Sequence, residues 1–154
     1  MKNIITLLLL IIIGVFGVAY WQWNKPRETA SNKKAEVIIS IDSLYAAFQA
    51  NDSLAFSTYQ NKVVQISGLL DRVEKQGDDA NQSNFAVLLS KTNGIEAKFS
   101  FPDTASNKLL TDLVKKQVVL KGFFAGFNYD AMMPEMGGTF EFNQSAIIQN
   151  KTHE

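Results

Sequence analysis

An uncharged, apolar stretch at the N-terminus constrains this chain most. No charged residue lies between Lys2 and Lys25, and residues 4–23 consist mainly of leucine, isoleucine and valine. A helix of this length extends roughly 30 Å at about 1.5 Å per residue, which matches the hydrocarbon core of a bilayer. The stretch therefore predicts a transmembrane helix, preceded by a short tail over residues 1–3 and followed by one small domain.

Aromatic residues at the end of this stretch favour a retained anchor. Tyr20, Trp21 and Trp23 are typical of the aromatic belt that holds a spanning helix at the level of the lipid headgroups. The alternative is a signal peptide cleaved after Ala19, because Gly17 and Ala19 form the small-x-small triplet of such a site. We predict a signal anchor, with a secreted periplasmic protein as the alternative.

Two rules give opposite orientations for this anchor. Basic residues are concentrated in residues 25–34, which by the positive-inside rule favours a domain in the cytoplasm. N-terminal anchors commonly leave the following domain outside the cytoplasm. We predict a single-pass inner-membrane protein with a periplasmic C-terminal domain, and the orientation stays open at this point.

Composition excludes several kinds of chemistry. The sequence contains no cysteine and one histidine, His153, beside the C-terminal residue. Disulfides, thiolate metal sites, a lipid-accepting cysteine and histidine-based catalysis are therefore excluded. No pair of nucleophile and base can be assembled from the remaining residues, so we predict that the protein is not an enzyme and uses no metal or cofactor.

The net charge of the region after the anchor argues against a polyphosphate partner. Residues 36–154 hold ten basic and fourteen acidic side chains, which gives a net charge of −4. Nucleic-acid-binding domains usually carry a basic stripe, and no run of basic residues here exceeds the pair Lys115-Lys116.

Two short helices are predicted after a polar linker over residues 24–39. Ser40 can cap the first, and Asp52 can cap the second, which runs to Tyr59. The first helix has apolar residues at helical spacing, namely Ile41, Leu44, Tyr45 and Phe48. Together with Tyr59, this stripe needs an apolar surface to cover.

From Val63 onwards the apolar period is two, which predicts strands. Gly68 lies where a long first strand would bend or bulge. Residues 92–94, Thr-Asn-Gly, predict the hairpin that joins the second and third strands. A third helix is predicted over about residues 106–116, then a fourth strand, and a fifth over residues 140–148.

Three strands, a helix and two further strands is the element order of an OB-fold barrel. We predict a mainly β domain over residues 40–148, a five-stranded OB-fold Greek-key barrel with two N-terminal helices and one helix between strands three and four. The transmembrane helix precedes it, and a polar tail over residues 149–154 follows. Val119 and Phe123 should point out of the barrel on strand four, and we expect the N-terminal helices to cover them.

Three segments also carry a family resemblance. They are residues 44–59 with the turn Asn-Asp-Ser-Leu-Ala at 51–55, residues 61–68, and residues 118–122, a second apolar strand closed by glycine. Together they resemble the tRNA-anti-like OB-fold family of bacterial envelope proteins and lipoproteins. The resemblance implies an OB barrel and no catalytic residues. Because the lipid-accepting cysteine of lipoprotein members is absent, anchoring would depend on the helix.

OB domains hold single strands on the outer face of strands two and three, using aromatic and basic side chains. The alternation here predicts Phe85, Phe99 and Phe101 inside the barrel. The outer face would then carry Asn84 and Lys98 among other residues, without an aromatic ring. We predict these two as polar contacts for an oligosaccharide or single-stranded nucleic acid, the alternative function, and regard nucleic acid as the weaker candidate.

The loop between strands four and five is the main candidate for a protein contact. It contains two aromatic residues and three methionines: Phe127, Tyr129, Met132, Met133 and Met136. Thioether sulfurs suit Cu(I), but no histidine or cysteine lies nearby to complete such a site. We predict an apolar surface for a protein partner, and folding of the loop over the barrel mouth is the alternative. The sequence therefore predicts a membrane-tethered binding or assembly module of the cell envelope.

Overall fold

A computed structural model describes residues 2–24, 28–76, 83–90, 92, 94–101, 106–129 and 137–148. The helices within these ranges are α1 (Lys2–Trp23), α2 (Ile41–Ala50), α3 (Asp52–Tyr59) and α4 (Ser106–Asp112), with a 3₁₀ turn at Ala30–Asn32. The strands are β1 (Val37–Ile38), β2 (Val63–Gln76), β3 (Ser83–Leu89), β4 (Glu96–Phe101), β5 (Gln117–Tyr129) and β6 (Gly138–Ile147).

Strands β2 to β6 close into a barrel. β2, β3 and β4 form an antiparallel meander, β6 lies parallel to β4, and β5 pairs antiparallel with both β6 and the first half of β2. This is the strand order of the Greek-key OB barrel, so the predicted barrel is confirmed. The core is filled by large apolar side chains, including Phe99, Phe124, Phe140 and Phe142.

The predicted anchor segment is helical. Within α1, the described large apolar side chains from Ile12 to Trp23 are all exposed. Among the residues that the structure describes, no helix combines the length and apolarity that crossing a membrane requires.

Part of the predicted linker is folded onto the barrel. β1 pairs parallel with β2 and forms a sixth strand, and Ala30 is fully buried. The ammonium of Lys121 donates to the carbonyl oxygens of Ser31 and Lys33, at 3.2 and 2.7 Å. The polar composition of this segment predicted a linker. Composition does not reveal backbone pairing, so the sequence contained no sign of β1.

The irregularity in the first barrel strand lies elsewhere than predicted. β2 continues through Gly68, and its register with β3 shifts between Leu70 and Arg72, which makes Asp71 the bulged residue. A Cβ atom at Gly68 would lie 3.4 Å from the side chain of Leu88, an ordinary van der Waals distance.

Two helix boundaries also differ from the prediction. Asn51 rather than Asp52 caps α3, because the Asn51 Oδ1 accepts a hydrogen bond from the Leu54 N–H at 2.9 Å. The predicted cap of α2 is confirmed, since the Ser40 Oγ accepts from Ser43 N–H. α4 ends at Asp112, before the predicted boundary at about residue 116, and Lys115 in the following turn has a positive φ of 63°.

Helices α2 and α3 pack against the barrel, but not where predicted. The Phe48 ring centroid lies 5.7, 5.4 and 5.4 Å from those of Phe124, Phe127 and Phe140, so the helices contribute to the barrel core. The outward ring of Phe123 is instead covered by Lys33, whose ammonium lies 5.2 Å from its centroid. The predicted alternation of β5 is confirmed. The prediction that the N-terminal helices cover Phe123 is wrong, because Lys33 covers it.

Candidate functional site

The phase of β3 is opposite to the prediction. Asn84, Ala86 and Leu88 point into the barrel, and Phe85 lies on the outer face. Both phases of this strand are largely apolar, so alternation does not distinguish them. Packing decides, because Ala86 lies opposite Phe99 and a small residue is needed there in a narrow barrel.

The outer face of strands β3, β4 and β6 therefore does carry an aromatic ring. The Lys98 ammonium lies 4.4 Å from the centroid of the Phe85 ring, a cation–π contact. A pocket of about 230 Å³ lies beside this pair, lined also by Ser100, Glu141 and Asn143. We call this the outer-face pocket. It offers an apolar ring, an ammonium, a carboxylate, an amide and a hydroxyl within one concave surface.

Ion pairs surround the outer-face pocket. Arg72 is held by both carboxylate oxygens of Glu96, at 2.8 and 2.9 Å, and donates to Glu74 at 2.8 Å. Lys98 is paired with Glu74 at 2.9 Å. The two cations on this face are thus already bonded to carboxylates, which lowers its attraction for a phosphate backbone.

Two carboxylates that contact Arg72, those of Asp71 and Glu74, are stabilised in the ionised form. The hydrogen bond from Lys115, followed by that from Arg72, lowers the pKa of Asp71 below its usual value. Lys98 and then Arg72 lower the pKa of Glu74 in the same way. At neutral pH this face therefore presents fixed, mutually compensated charges rather than a positive field.

The prediction of Asn84 as an outer-face contact is wrong. Its side chain is fully buried inside the barrel, opposite Phe101 in the register. Within the part of the chain that the structure describes, neither its amide nitrogen nor its oxygen has a hydrogen-bond partner. Lys98, the other predicted outer-face residue, does lie on that face. The prediction did not place Phe85 on the outer face. Phe85 pairs directly with Ser100 across the hairpin, and paired residues share a face, so the predicted outward position of Ser100 was the available signal.

The predicted contact surface of the loop after β5 is described only in part. Phe127 packs into the barrel end, with its ring centroid 4.3 Å from that of Phe140. Tyr129 stacks on Phe127 and is 42% exposed. The methionines of the prediction, Met132, Met133 and Met136, lie outside the described residues. Of the two aromatic residues, Tyr129 is the one with substantial exposed surface.

The described residues form no candidate metal site. Within the described ranges, no three His, Asp, Glu or Cys side chains come together in a way that would hold a metal ion. The acidic loop residues that precede β3 fall outside those ranges.

Comparison with known families gives one match. A family model described as tRNA_anti-like matches residues 1–134, which confirms the resemblance read from the sequence. Comparison with curated proteins gives no match.

Several solved structures are similar. A Klebsiella pneumoniae protein described as a "putative nucleic acid-binding lipoprotein" has a TM-score of 0.57 at 13% identity, covering 73% of this chain and 91% of that chain. DNA binding domain A of S. cerevisiae Replication Protein A has a TM-score of 0.37 at 10% identity, covering 62% and 89%. The OB domain of Ta0387 from Thermoplasma acidophilum has a TM-score of 0.37 at 10% identity, covering 77% and 92%. The first of these shows a shared fold.

Proposed function

Since this chain belongs to the tRNA_anti-like family, we propose that it is a membrane-tethered OB-fold binding module, without catalytic activity, whose ligand occupies the outer-face pocket. One observation carries this proposal: the Phe85 ring and the Lys98 ammonium lie together on the outer face of the second and third barrel strands. OB barrels bind oligonucleotides and oligosaccharides on this face.

The chemistry of the pocket favours a neutral, polar ligand. Donors and acceptors from Lys98, Ser100, Asn143 and Glu141 surround the apolar edge of Phe85. A saccharide has the matching combination of hydroxyl groups and apolar ring faces. A nucleic acid would also bring phosphates, and the ion pair of Lys98 with Glu74 lowers the attraction of this face for them. We propose an oligosaccharide of the cell envelope as the ligand.

The proposal predicts a specific loss of affinity. Phe85→Ala is expected to weaken binding of a tetramer of β-1,4-linked N-acetylglucosamine about tenfold, because it removes an aromatic ring that lines the pocket. The measurement is isothermal titration calorimetry of the full chain in detergent micelles. Tyr129→Ala is the control, since Tyr129 is exposed but does not line the pocket. The affinity of this variant for the tetramer should be unchanged. Equal affinities for Phe85→Ala and the native chain would overturn the proposed site.

Single-stranded nucleic acid is the second candidate, because an aromatic ring and a lysine do lie on the face that such ligands use. The two candidates differ in their response to salt. Binding to phosphates weakens steeply as salt concentration rises, whereas binding to a neutral saccharide does not. A twelve-nucleotide oligothymidine that binds more tightly than the saccharide, with steep salt dependence, would decide for nucleic acid.

Membrane tethering through residues 4–23 is part of the proposal, with the barrel on the periplasmic side. It is supported by the absence of charge between Lys2 and Lys25 and by the exposed apolar side chains of the second half of α1. The link from Asn24 to Glu28 can span at most about 14 Å, so a barrel tethered in this way lies at the membrane surface.

Carbonate extraction of cell membranes tests the tether. The native chain is expected to stay in the membrane pellet, because an apolar helix in the bilayer is not released by high pH. The double variant Val15→Asp, Val18→Asp should move to the supernatant, since each buried charge costs about 2.5–3.5 kcal/mol at the centre of a bilayer. Asn24→Asp, beyond the apolar stretch, is the matched control. Release of the native chain into the supernatant would refute the tether.

A further inference from the structure

A second concave surface lies between α3 and the C-terminal part of β5. It has a volume of about 470 Å³, and Asp52, Phe56, Gly126, Phe127 and Glu141 are among the residues that line it. We call it the α3–β5 cleft. Phe56 is 37% exposed at its rim, which gives the cleft an accessible apolar surface.

Charge in the α3–β5 cleft has one sign. Among the described residues that line it, the charged ones are Asp52 and Glu141, and none is basic. Within the described ranges, Asp52 has no ion-pair partner, while Glu141 accepts one hydrogen bond, from the Asn128 amide at 2.9 Å. Asp52 also lies in the first turn of α3, where the helix dipole favours a negative charge. The cleft is therefore complementary to a cation.

The backbone of β5 has an open edge beside this cleft. β2 pairs with β5 only as far as Phe123, with further backbone hydrogen bonds to Phe124. Beyond this point, among the strands that the structure describes, residues 126–129 pair with β6 alone. An edge of this kind presents unpaired N–H and C=O groups to which an extended peptide can add as a further strand.

We propose that the α3–β5 cleft binds an extended peptide segment that carries a basic side chain. The peptide backbone pairs with the open edge of β5, its basic group meets Asp52, and a neighbouring apolar side chain covers Phe56. The cleft lies outside the outer-face pocket, although Glu141 borders both surfaces. The protein would thus hold a ligand on one face of the barrel and a partner protein on another.

The test uses defined peptides and the full chain in detergent micelles. The probe is acetylated and amidated Val-Lys-Val-Lys-Val, and its two controls are the same sequence with glutamate in place of lysine and the same sequence with alternate N-methyl amides. We expect the lysine peptide to bind and to slow amide hydrogen exchange in residues 125–129. The glutamate peptide lacks the charge and the N-methyl peptide lacks the backbone donors, so neither should bind.

Variants separate this site from the outer-face pocket. Asp52→Asn is expected to weaken binding of the lysine peptide about fivefold, the upper range for an exposed ion pair. Phe85→Ala should leave peptide affinity unchanged, and Asp52→Asn should leave saccharide affinity unchanged, so each proposal can fail without the other. Equal binding of all three peptides, or exchange protection confined to residues 84–90, would overturn the proposal. Occupation of the edge by a second copy of this chain, seen as a dimer in sedimentation that excludes the peptide, would also overturn it.

Discussion

Replacing Phe48 by alanine is expected to lower the free energy of unfolding by about 3–5 kcal/mol, the usual cost of removing a buried phenylalanine. Phe48 is 5% exposed, and its ring contacts those of Phe124, Phe127 and Phe140. Together with Ile41 and Leu44, it joins α2 to the barrel core. Phe48→Asp should be more harmful still, because it leaves a carboxylate in an apolar contact that offers no partner.

Chemical denaturation followed by circular dichroism measures this effect. Phe56→Ala is the matched control, since Phe56 is also an aromatic residue of the N-terminal helices but is 37% exposed. Its cost should be about 1 kcal/mol or less. Equal stability of Phe48→Ala and the native chain would mean that residues 40–60 are an appendage and not part of the domain.

A methyl group added at Gly122 is expected to cost about 1–3 kcal/mol through overpacking. The added Cβ would lie 2.6 Å from Ser145 Oγ, 2.9 Å from Phe142 Cβ and 3.3 Å from the Asn143 carbonyl oxygen. The hydroxyl can rotate away, but the Phe142 Cβ is fixed by the β6 backbone. Gly122 is therefore needed for the close approach of β5 and β6.

Gly126→Ala, in the same strand, is the control for Gly122→Ala. Among the described residues, no atom beyond the two chain neighbours lies within 4 Å of a Cβ at this position. The substitution should therefore be neutral or should stabilise by about 0.4–1 kcal/mol through the unfolded chain. Thermal unfolding of the two variants side by side gives the comparison. If Gly126→Ala lowers stability as much as Gly122→Ala does, then β5 requires the backbone freedom of glycine and not the space.

The barrel could be predicted from the sequence because its elements have distinct periods. Helical spacing from Ile41 to Phe48, the period of two after Val63 and the Asn-Gly turn at 93–94 give the element order, and that order specifies the OB topology. Glycine at the end of the fourth-strand motif, Gly122, was part of the family resemblance. Its close contacts with β6 supply the physical reason for that glycine.

Features that depend on tertiary pairing could not be predicted. β1 is two residues long and has no pattern of its own, so only its register with β2 defines it. The bulge falls at Asp71 and not at Gly68, because the register with β3 sets its position. Local propensity does not contain this information.

The candidate site was the least predictable part. Asn84 to Leu89 contains apolar side chains in both phases, and the prediction placed the polar end residue outside. In the structure, Ala86 faces Phe99 in the core and Phe85 faces outward under Lys98. One inverted strand thus removed the aromatic ring from the predicted binding face. The apparent absence of that ring, together with the net negative charge of residues 36–154, had been an argument against nucleic acid on this face.

The outer-face pocket as a ligand site is tested most directly by amide hydrogen exchange of the full chain with and without the N-acetylglucosamine tetramer. Binding in this pocket predicts slowed exchange in β3 around Phe85, in β4 around Lys98 and in β6 around Asn143, because these three strands line the pocket. It also predicts no change in α2 and α3. Protection confined to the N-terminal helices, or no protection in these three strands at saturating ligand, would contradict it.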